Sequence, residues 1–199
     1  SGAQVIIFEL ASASGGSTAL SSAEIYMGGS GGTRVQKACG FEDDTEDMFT
    51  YMMMAAGPQA DEAKLRNYCE NSVEHFNWLS DTLGVPFKDS FHKERAIMCL
   101  TDDGLLYTGS EKAYPYVQHA KPCPRGHNLS IEGDNGGPLV MKIVTENVEK
   151  RENMAVEYET RALTLIVDDN GHVVGLVVRQ NQQELNVRAR KGVILCAGG

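Results

Sequence analysis

The sequence predicts an α/β fold in which a parallel sheet carries helices and is joined to a three-stranded antiparallel meander. A continuous apolar, β-branched run at residues 4–8 is typical of a strand buried on both faces of a parallel sheet. Helical patterns follow it, and strand patterns separated by turn residues lie on both sides of residue 170. At 199 residues the chain is predicted to form one domain, residues 1–199.

Three helices are predicted from the spacing of apolar side chains. Residues 41–56 begin with acidic side chains, which suit the positive end of a helix dipole. Residues 61–83 place apolar side chains three and four positions apart, and Gly84 and Pro86 should end that helix. Residues 139–150 repeat the helical spacing and end near basic side chains, which favour a helix C-terminus.

The strands after the last helix are predicted from alternation and turn chemistry. Residues 156–159 form one strand, and residues 163–178 read as a hairpin that turns at Asn170-Gly171. Residues 182–190 alternate apolar and polar side chains and form the third strand of the meander. GVILCAGG at residues 192–199 predicts another strand buried on both faces, followed by a turn.

Two stretches lack a clear period. Residues 11–33 are rich in Gly, Ser and Ala, a composition that suits either a flexible linker or a backbone that approaches a ligand closely. Residues 86–138 are expected to be irregular, with a short strand-like piece at residues 96–100.

Composition excludes several classes of function. A net charge of −9 argues against nucleic-acid binding, which needs clustered Lys and Arg, and no apolar run is long enough to span a membrane. The five cysteines are odd in number and never form a C-x-x-C pair, and the five histidines show no i, i+4 pairing. We therefore expect no disulfide framework, no metal site and a cytoplasmic protein.

Glu9 stands directly after the first apolar strand. A carboxylate in this place is typical of the second strand of a dinucleotide-binding fold, where it accepts hydrogen bonds from ribose hydroxyls. In that fold a first strand and a G-x-G-x-x-G loop precede the acid by about 20 residues. Neither lies within the eight residues before Glu9.

Four motifs in a fixed order carry a family resemblance. They are E-x-x-x-x-x-G-G-S-T-A-x-S at residues 9–21, G-G-x-L-V at 136–140, T-R-A at 160–162 and G-V-I-L-C-A-G-G at 192–199. The chain thereby resembles the flavoproteins that include fumarate reductases and 3-ketosteroid dehydrogenases. The resemblance implies an incomplete FAD-binding Rossmann-like domain, without its first strand, its G-x-G-x-x-G loop and the substrate domain downstream.

The resemblance also assigns cofactor contacts residue by residue. Glu9 would hold the AMP ribose, and the glycine and hydroxyl residues after it would lie along the pyrophosphate and the flavin. Ser17 stands where a membrane-bound branch carries a flavin-linked histidine, so FAD is expected to be non-covalent. The family's Ser-Gly-Gly beside the isoalloxazine is replaced here by Ser21, Ser22 and Ala23. The implied cofactor-binding residues are Glu9, Gly15, Gly16, Ser17, Thr18, Ser21, Ser22, Arg161, Ala162, Ala197 and Gly198.

Catalytic residues remain unidentified, because the family places most of them after the Gly-Gly that closes this sequence. The Tyr- and Pro-bearing stretch at residues 106–127 resembles the ketosteroid dehydrogenase branch more than the fumarate reductases. Three of its side chains, Tyr107, Tyr114 and Tyr116, are candidates for lining an apolar substrate pocket. Arg125 and His127 are further candidates for flavin or phosphate contact.

Two functional hypotheses follow. The first is a fragment of a FAD-dependent dehydrogenase or reductase acting on a CH–CH bond of a small molecule, with a ketosteroid ahead of fumarate. The second is a nucleotide-binding or scaffold module without catalysis of its own. The fragment alone is expected to be inactive and to bind FAD weakly or not at all, because glycine loops supply the main pyrophosphate donors. It is also expected to self-associate through unpaired strand edges.

Overall fold

The structure is a computed structural model, and it describes residues 2–94 and 99–198. The chain falls into two compact units. The strand-rich unit comprises residues 1–14 and 145–199, and the helix-rich unit comprises residues 15–144. No helix among the described residues is long and apolar enough to cross a membrane.

The strand-rich unit contains two sheets. In the first, β1 (Val5–Phe8) pairs in parallel with β5 (Met154–Glu157). In the second, β6 (Arg161–Val167), β7 (Val173–Gln180) and β8 (Gln183–Arg188) form an antiparallel meander with β7 in the centre. The parallel pairing of the first strand and the three-stranded meander are therefore confirmed.

Local turn chemistry sets the register of the meander. The Asp168 carboxylate accepts the N–H groups of Asn170 and His172, both at 2.9 Å, and Gly171 supplies a φ of +83°. The second turn uses Asn181 and Gln182, both at positive φ. This second turn has two residues with positive φ values, which matches the twist of antiparallel strands, so β7 and β8 are joined without a long loop.

Two details of the predicted strands are wrong. β1 is not buried on both faces, since Val5, Ile6 and Ile7 are 38, 54 and 37% exposed. Residues 193–196 form no strand, and Leu195 in this segment is 72% exposed. An apolar run becomes a strand only where a neighbouring backbone accepts its hydrogen bonds, and no described residue pairs with this segment.

The helix-rich unit is built from four helices and a small sheet. The helices are α1 (Arg34–Ala38), α2 (Thr45–Ala56), α3 (Glu62–Asn77) and α4 (Gly136–Glu149), the last of which continues into the strand-rich unit. The sheet has the order β2 (Ile25–Tyr26), β4 (Gly126–His127) and β3 (Leu105–Leu106), all antiparallel.

Side-chain caps fix where the two central helices begin. Asp44 accepts the N–H groups of Glu46 and Asp47, so α2 begins at residue 45 rather than 41. Asp61 caps α3 in the same way, and a π-helical turn over Trp78–Thr82 extends that helix. Gly84, at a φ of +80°, follows it as predicted.

The core of the helix-rich unit lies between α3, α4 and the small sheet. Its fully buried side chains include Met27, Phe76, Leu105 and Leu129, and Val140 of α4 packs against them. Cys99 and Leu100 are not in a strand, and the rest of the strand-like piece predicted at residues 96–100 lies outside the described residues.

Candidate functional site

Glu9 lies immediately after β1, where the parallel sheet ends. Its backbone N–H donates to Glu157 O at 2.9 Å, and its Oε1 accepts the N–H of Ala11 at 2.8 Å. Within the described residues the other carboxylate oxygen, Oε2, accepts no bond, and the side chain is half-buried. Oε1 thus fixes the local turn, while Oε2 is free to accept a hydrogen bond from a ligand hydroxyl.

Thr160 joins the T-R-A motif to the end of β1. Its N–H donates to Glu9 O at 2.9 Å, its hydroxyl donates to Tyr158 O, and the residue is 2% exposed. Arg161 and Ala162 follow as the first two residues of β6, and both are exposed. The structure therefore places Arg161 close in the fold to Glu9, on the same unit.

The first glycine segment, residues 15–18, has unused hydrogen-bond donors. The backbone N–H groups of Gly15, Gly16, Ser17 and Thr18 donate to no acceptor among residues 2–94 and 99–198, and neither do the hydroxyls of Ser17 and Thr18. Gly16 takes a φ of +49°, and Ser17 and Thr18 are exposed. Consecutive free N–H groups beside hydroxyls are an anion-binding arrangement.

The G-G-x-L-V motif explains how this segment is held. Gly136 and Gly137 begin α4, and the Gly137 N–H donates to Ser21 O at 3.0 Å. A Cβ on Gly136 would lie 2.0 Å from Ser22 O, and one on Gly137 would lie 2.3 Å from Thr18 O. Only glycine permits this approach, so the first turn of α4 supports residues 18–22 from one side.

At residues 21–23, which depart from Ser-Gly-Gly, the backbone turns at Ala23. Ala23 has a φ of +53°, the left-handed conformation that glycine adopts at little cost. The Ser21 hydroxyl donates to Thr18 O at 2.8 Å and accepts the Ala23 N–H at 3.2 Å. Ser21 therefore closes the turn locally, whereas Ser22 makes no side-chain bond within the described chain.

The second glycine segment, residues 27–33, differs from the first because the protein itself accepts its donors. Every N–H from Met27 to Thr33 donates within the helix-rich unit, at 2.8–3.1 Å. Gly29 donates to Asp43 Oδ2 and Ser30 donates to Thr45 Oγ1. This segment has no free backbone donor for a ligand.

A buried ion pair that the sequence did not reveal supports the second segment. Arg125 is fully buried, and its Nε and Nη2 donate to the Asp43 carboxylate at 2.8 and 2.6 Å. Burial alone would raise the pKa of Asp43, but hydrogen bonds and charge from Arg125 outweigh it, so the pKa lies below its usual value. The pair is therefore ionised at neutral pH.

His127 completes the same network from β4. Its Nδ1 lies 2.9 Å from Arg125 O, so it donates there, and its Nε2 accepts the Thr33 hydroxyl at 2.7 Å. Burial lowers the pKa of His127 to about 4, which keeps the imidazole neutral. Arg125 and His127 are thus bonded to the protein itself, and the hypothesis that they contact flavin or phosphate is not supported.

The three tyrosines proposed for a substrate pocket occupy different surroundings. Tyr107 is 7% exposed and packs edge-on against Phe91, with Lys112 Nζ 3.8 Å from its ring centroid. Tyr116 is half-buried against Tyr51, with the ring centroids 5.3 Å apart. Tyr114 is 78% exposed, so the structure does not bring it into the packed group.

Ala197 and Gly198 lie in the irregular segment after the meander and are exposed. Within the described residues they make no hydrogen bond, so their proposed contact with the ADP part has no preformed support. No group of three or more His, Cys, Asp or Glu side chains in the described part of the chain is arranged to hold a metal ion.

A parallel strand that ends in a half-free carboxylate is typical of nucleotide-binding α/β proteins. The family described as "FAD binding domain" matches residues 1–199. The chain belongs to this family, and FAD is its cofactor.

Solved structures agree with the family. A 3-ketosteroid-Δ4-(5α)-dehydrogenase from Rhodococcus jostii RHA1 is 48% identical, with a TM-score of 0.88 over 96% of this chain and 40% of that one. A 3-ketosteroid Δ1-dehydrogenase from Sterolibacterium denitrificans (18% identity, TM-score 0.61, 98% of this chain and 43% of that one) shares the fold. A flavocytochrome c3 fumarate reductase also shares the fold, with 22% identity and a TM-score of 0.56 over 88% of this chain and 30% of that one. The chain therefore spans 40% of the length of the Rhodococcus enzyme.

The residues present fit the chemistry of FAD. A pyrophosphate needs several N–H or O–H donors, and residues 15–18 hold such groups without internal acceptors. A ribose hydroxyl needs an acceptor, and Glu9 Oε2 is one. The donors and the acceptor lie on different units, and each is held by bonds within its own unit.

Proposed function

We propose that this chain forms part of a FAD-dependent oxidoreductase that acts on a CH–CH bond of a 3-ketosteroid. The observation that supports the proposal is 48% identity over 96% of the chain with a 3-ketosteroid-Δ4-(5α)-dehydrogenase. The fumarate reductase is 22% identical, a level that supports the fold alone. A ketosteroid is therefore the favoured substrate class.

The proposed FAD contacts follow from the bonding state of each residue. Residues 15–18 would donate to the pyrophosphate, and Ser21 and Ser22 would lie towards the isoalloxazine. Glu9 would accept from the AMP ribose, while Arg161 and Ala162 would offer backbone groups to the adenine. Ala197 and Gly198, which are exposed, would contact the ADP part. When bound, FAD supplies the acceptor for a hydride from the substrate carbon.

The steroid would need an apolar surface with few polar tips. Tyr107 packs against Phe91 and Tyr116 packs against Tyr51, so each holds a flat ring in packed surroundings, whereas Tyr114 would have to move inward to contribute. We therefore propose Tyr107 and Tyr116 ahead of Tyr114 as substrate-facing residues.

The decisive experiment is anaerobic reduction of the flavin in the full-length protein. A 3-ketosteroid with a saturated 4,5 bond should bleach the visible absorbance of the flavin, because the steroid loses one hydrogen to the flavin as a hydride and the other to a protein base or solvent as a proton. Succinate serves as the matched dicarboxylate control. Bleaching by succinate alone would transfer the assignment to the fumarate reductases, and no bleaching by either compound would favour a scaffold without catalysis.

We also propose that the 199-residue chain self-associates through β1. β1 bonds to β5 along one edge, no described strand occupies its other edge, and Ile6 is 54% exposed. An apolar strand with a free edge is a template for pairing with another chain. Light scattering should show a dimer or larger species for the wild type, and Ile6→Lys should shift it towards monomer. A monomeric wild type would contradict this proposal.

A further inference from the structure

Glu111 is a buried carboxylate without a hydrogen-bonding partner. It is 2% exposed, and both Oε1 and Oε2 lack a donor among the described residues. A carboxylate removed from water without donors is strongly destabilising, because it loses its hydration and gains no hydrogen bond in exchange. Native proteins avoid this state, so a donor is needed at Glu111.

The neighbouring cations are engaged elsewhere. Arg125 gives Nε and Nη2 to Asp43, and its Nη1 lies 3.5 Å from the Tyr26 hydroxyl. Lys112, the next residue in the chain, places its Nζ over the Tyr107 ring at 3.8 Å. Neither side chain is bonded to Glu111, so no ion pair between described residues satisfies the carboxylate.

The Tyr51 hydroxyl has a proton but no acceptor for it within the described chain. Its hydroxyl oxygen accepts the Ser110 N–H at 2.9 Å, while within the described chain its own proton is given to no acceptor. Tyr51 is 7% exposed, so bulk water does not freely supply one. A donor without an acceptor and an acceptor without a donor therefore share one buried neighbourhood.

Gly109 shows how close the two groups lie. A Cβ built on Gly109 would be 2.3 Å from Tyr51 Oη and 3.0 Å from Glu111 Oε1, which places both oxygens on the same side of this residue. No direct bond joins Tyr51 to Glu111. Two buried polar oxygens this close to one residue can share a water molecule, which makes about three hydrogen bonds in such sites.

We propose that Glu111 and Tyr51 bind one buried water molecule, which accepts the Tyr51 proton and donates to the Glu111 carboxylate. The bridge ties the loop at residues 108–111 to α2. The ring of Tyr51 in turn contacts Tyr26 and Tyr116, with centroids 5.9 and 5.3 Å apart. The water therefore positions the aromatic group, whether or not a ketosteroid is the substrate.

The test is a high-resolution crystal structure of the full-length, steroid-free protein. We expect a fully occupied water within hydrogen-bonding distance, about 2.6–3.2 Å, of Tyr51 Oη and a Glu111 carboxylate oxygen. Glu111→Gln, which keeps an acceptor in the same volume, should retain it. Tyr51→Phe, which removes the donor, should lose it or reduce its occupancy.

A solution measurement covers the case in which a variant fails to crystallise. Water oxygen-17 relaxation dispersion counts long-lived internal waters, and Tyr51→Phe should lower the count by one relative to wild type and to Glu111→Gln. A direct Tyr51–Glu111 hydrogen bond, a carboxylate turned out to solvent, or an unchanged water in Tyr51→Phe would overturn the proposal. None of these measurements depends on the substrate, so the water proposal can be refuted without refuting the proposed function, and the reverse also holds.

Discussion

Two glycine-rich segments of the helix-rich unit have similar compositions and opposite bonding. Residues 15–18 leave four consecutive N–H groups free, whereas residues 27–33 give every N–H to an acceptor inside the unit. In the second segment the acceptors include the side chains of Asp43, Thr45 and Ser72, and Asp43 is itself held by Arg125. A glycine-rich segment thus becomes scaffold when a distant side chain accepts its donors, and it stays available for a ligand otherwise.

The largest expected effect is the removal of Asp43. Asp43→Ala leaves the Arg125 charge buried without a carboxylate, and breaking a buried ion pair in this way costs about 3–5 kcal/mol of unfolding free energy. Glu46→Ala, which removes the exposed partner of Arg66, should cost less than about 1 kcal/mol. Urea denaturation of both variants checks the comparison. Equal losses would mean that the buried pair does not support the second segment.

Acid should weaken the same network through His127. The pKa is about 4 in the folded protein and 6.5 in the unfolded chain, so the unfolded state binds the extra proton first. Stability should therefore fall as pH drops from 6.5 towards 4, by an amount on the order of 3 kcal/mol.

Comparing wild type with His127→Gln isolates this contribution. The variant should lose the part of the pH dependence between 6.5 and 4 that His127 causes. Asp43 affects this window less than a free aspartate would, because hydrogen bonds and charge from Arg125 hold the pKa of its carboxyl below the usual value. A pH profile unchanged by the substitution would rule out the neutral, buried histidine.

Glycine replacement should affect the two segments unequally. A methyl at Gly28 would lie 2.2 Å from Asp43 Oδ2, which Arg125 holds in place, so Gly28→Ala should cost about 2 kcal/mol. A methyl at Gly16 meets nothing within 4 Å, and only the positive φ opposes it, so Gly16→Ala should cost about 1 kcal/mol. Thermal unfolding distinguishes these values, and the reverse order would contradict the assignment of scaffold and ligand segment.

Replacing serine with glycine should have the smallest effect on stability, and the sign of that effect should differ between the two segments. Ser30 has a φ of +48°, which glycine adopts more easily, so Ser30→Gly should stabilise the protein by up to about 1 kcal/mol. Ser17 has a φ of −65°, so Ser17→Gly should destabilise it by about 0.5 kcal/mol. Matched melting curves would show shifts in opposite directions if both backbones are as described.

Local chemistry made much of the fold predictable. Asn170-Gly171 located the first hairpin of the meander, and Gly84 located the end of the α3 region, because each needs only neighbouring residues. Strand burial at residues 5–7 and 193–196 was not predictable from the runs themselves, since it depends on which backbone lies alongside. An apolar run in the sequence indicates that a segment can pair as a strand, but it does not show that a partner strand is present.

The candidate site shows the same limit. Glu9 and the first glycine segment could be proposed from order along the chain, because the acid-ended strand and the glycines are close in sequence. The Arg125–Asp43 pair joins residues 82 positions apart, and no local pattern indicates it. Glu111 gave no signal either, since an isolated acid in a loop normally lies on the surface.

The most direct test of the central claim is the FAD dissociation constant of the full-length protein. Replacing Ser17 and Thr18 together with Ala should weaken binding at least about tenfold, because hydrogen bonds to a charged phosphate contribute about 1.5–3 kcal/mol. Ser30→Ala in the second segment is the matched control and should leave the constant unchanged. The account would be contradicted if Ser30→Ala weakened FAD binding as much as the double substitution, or if the double substitution had no effect.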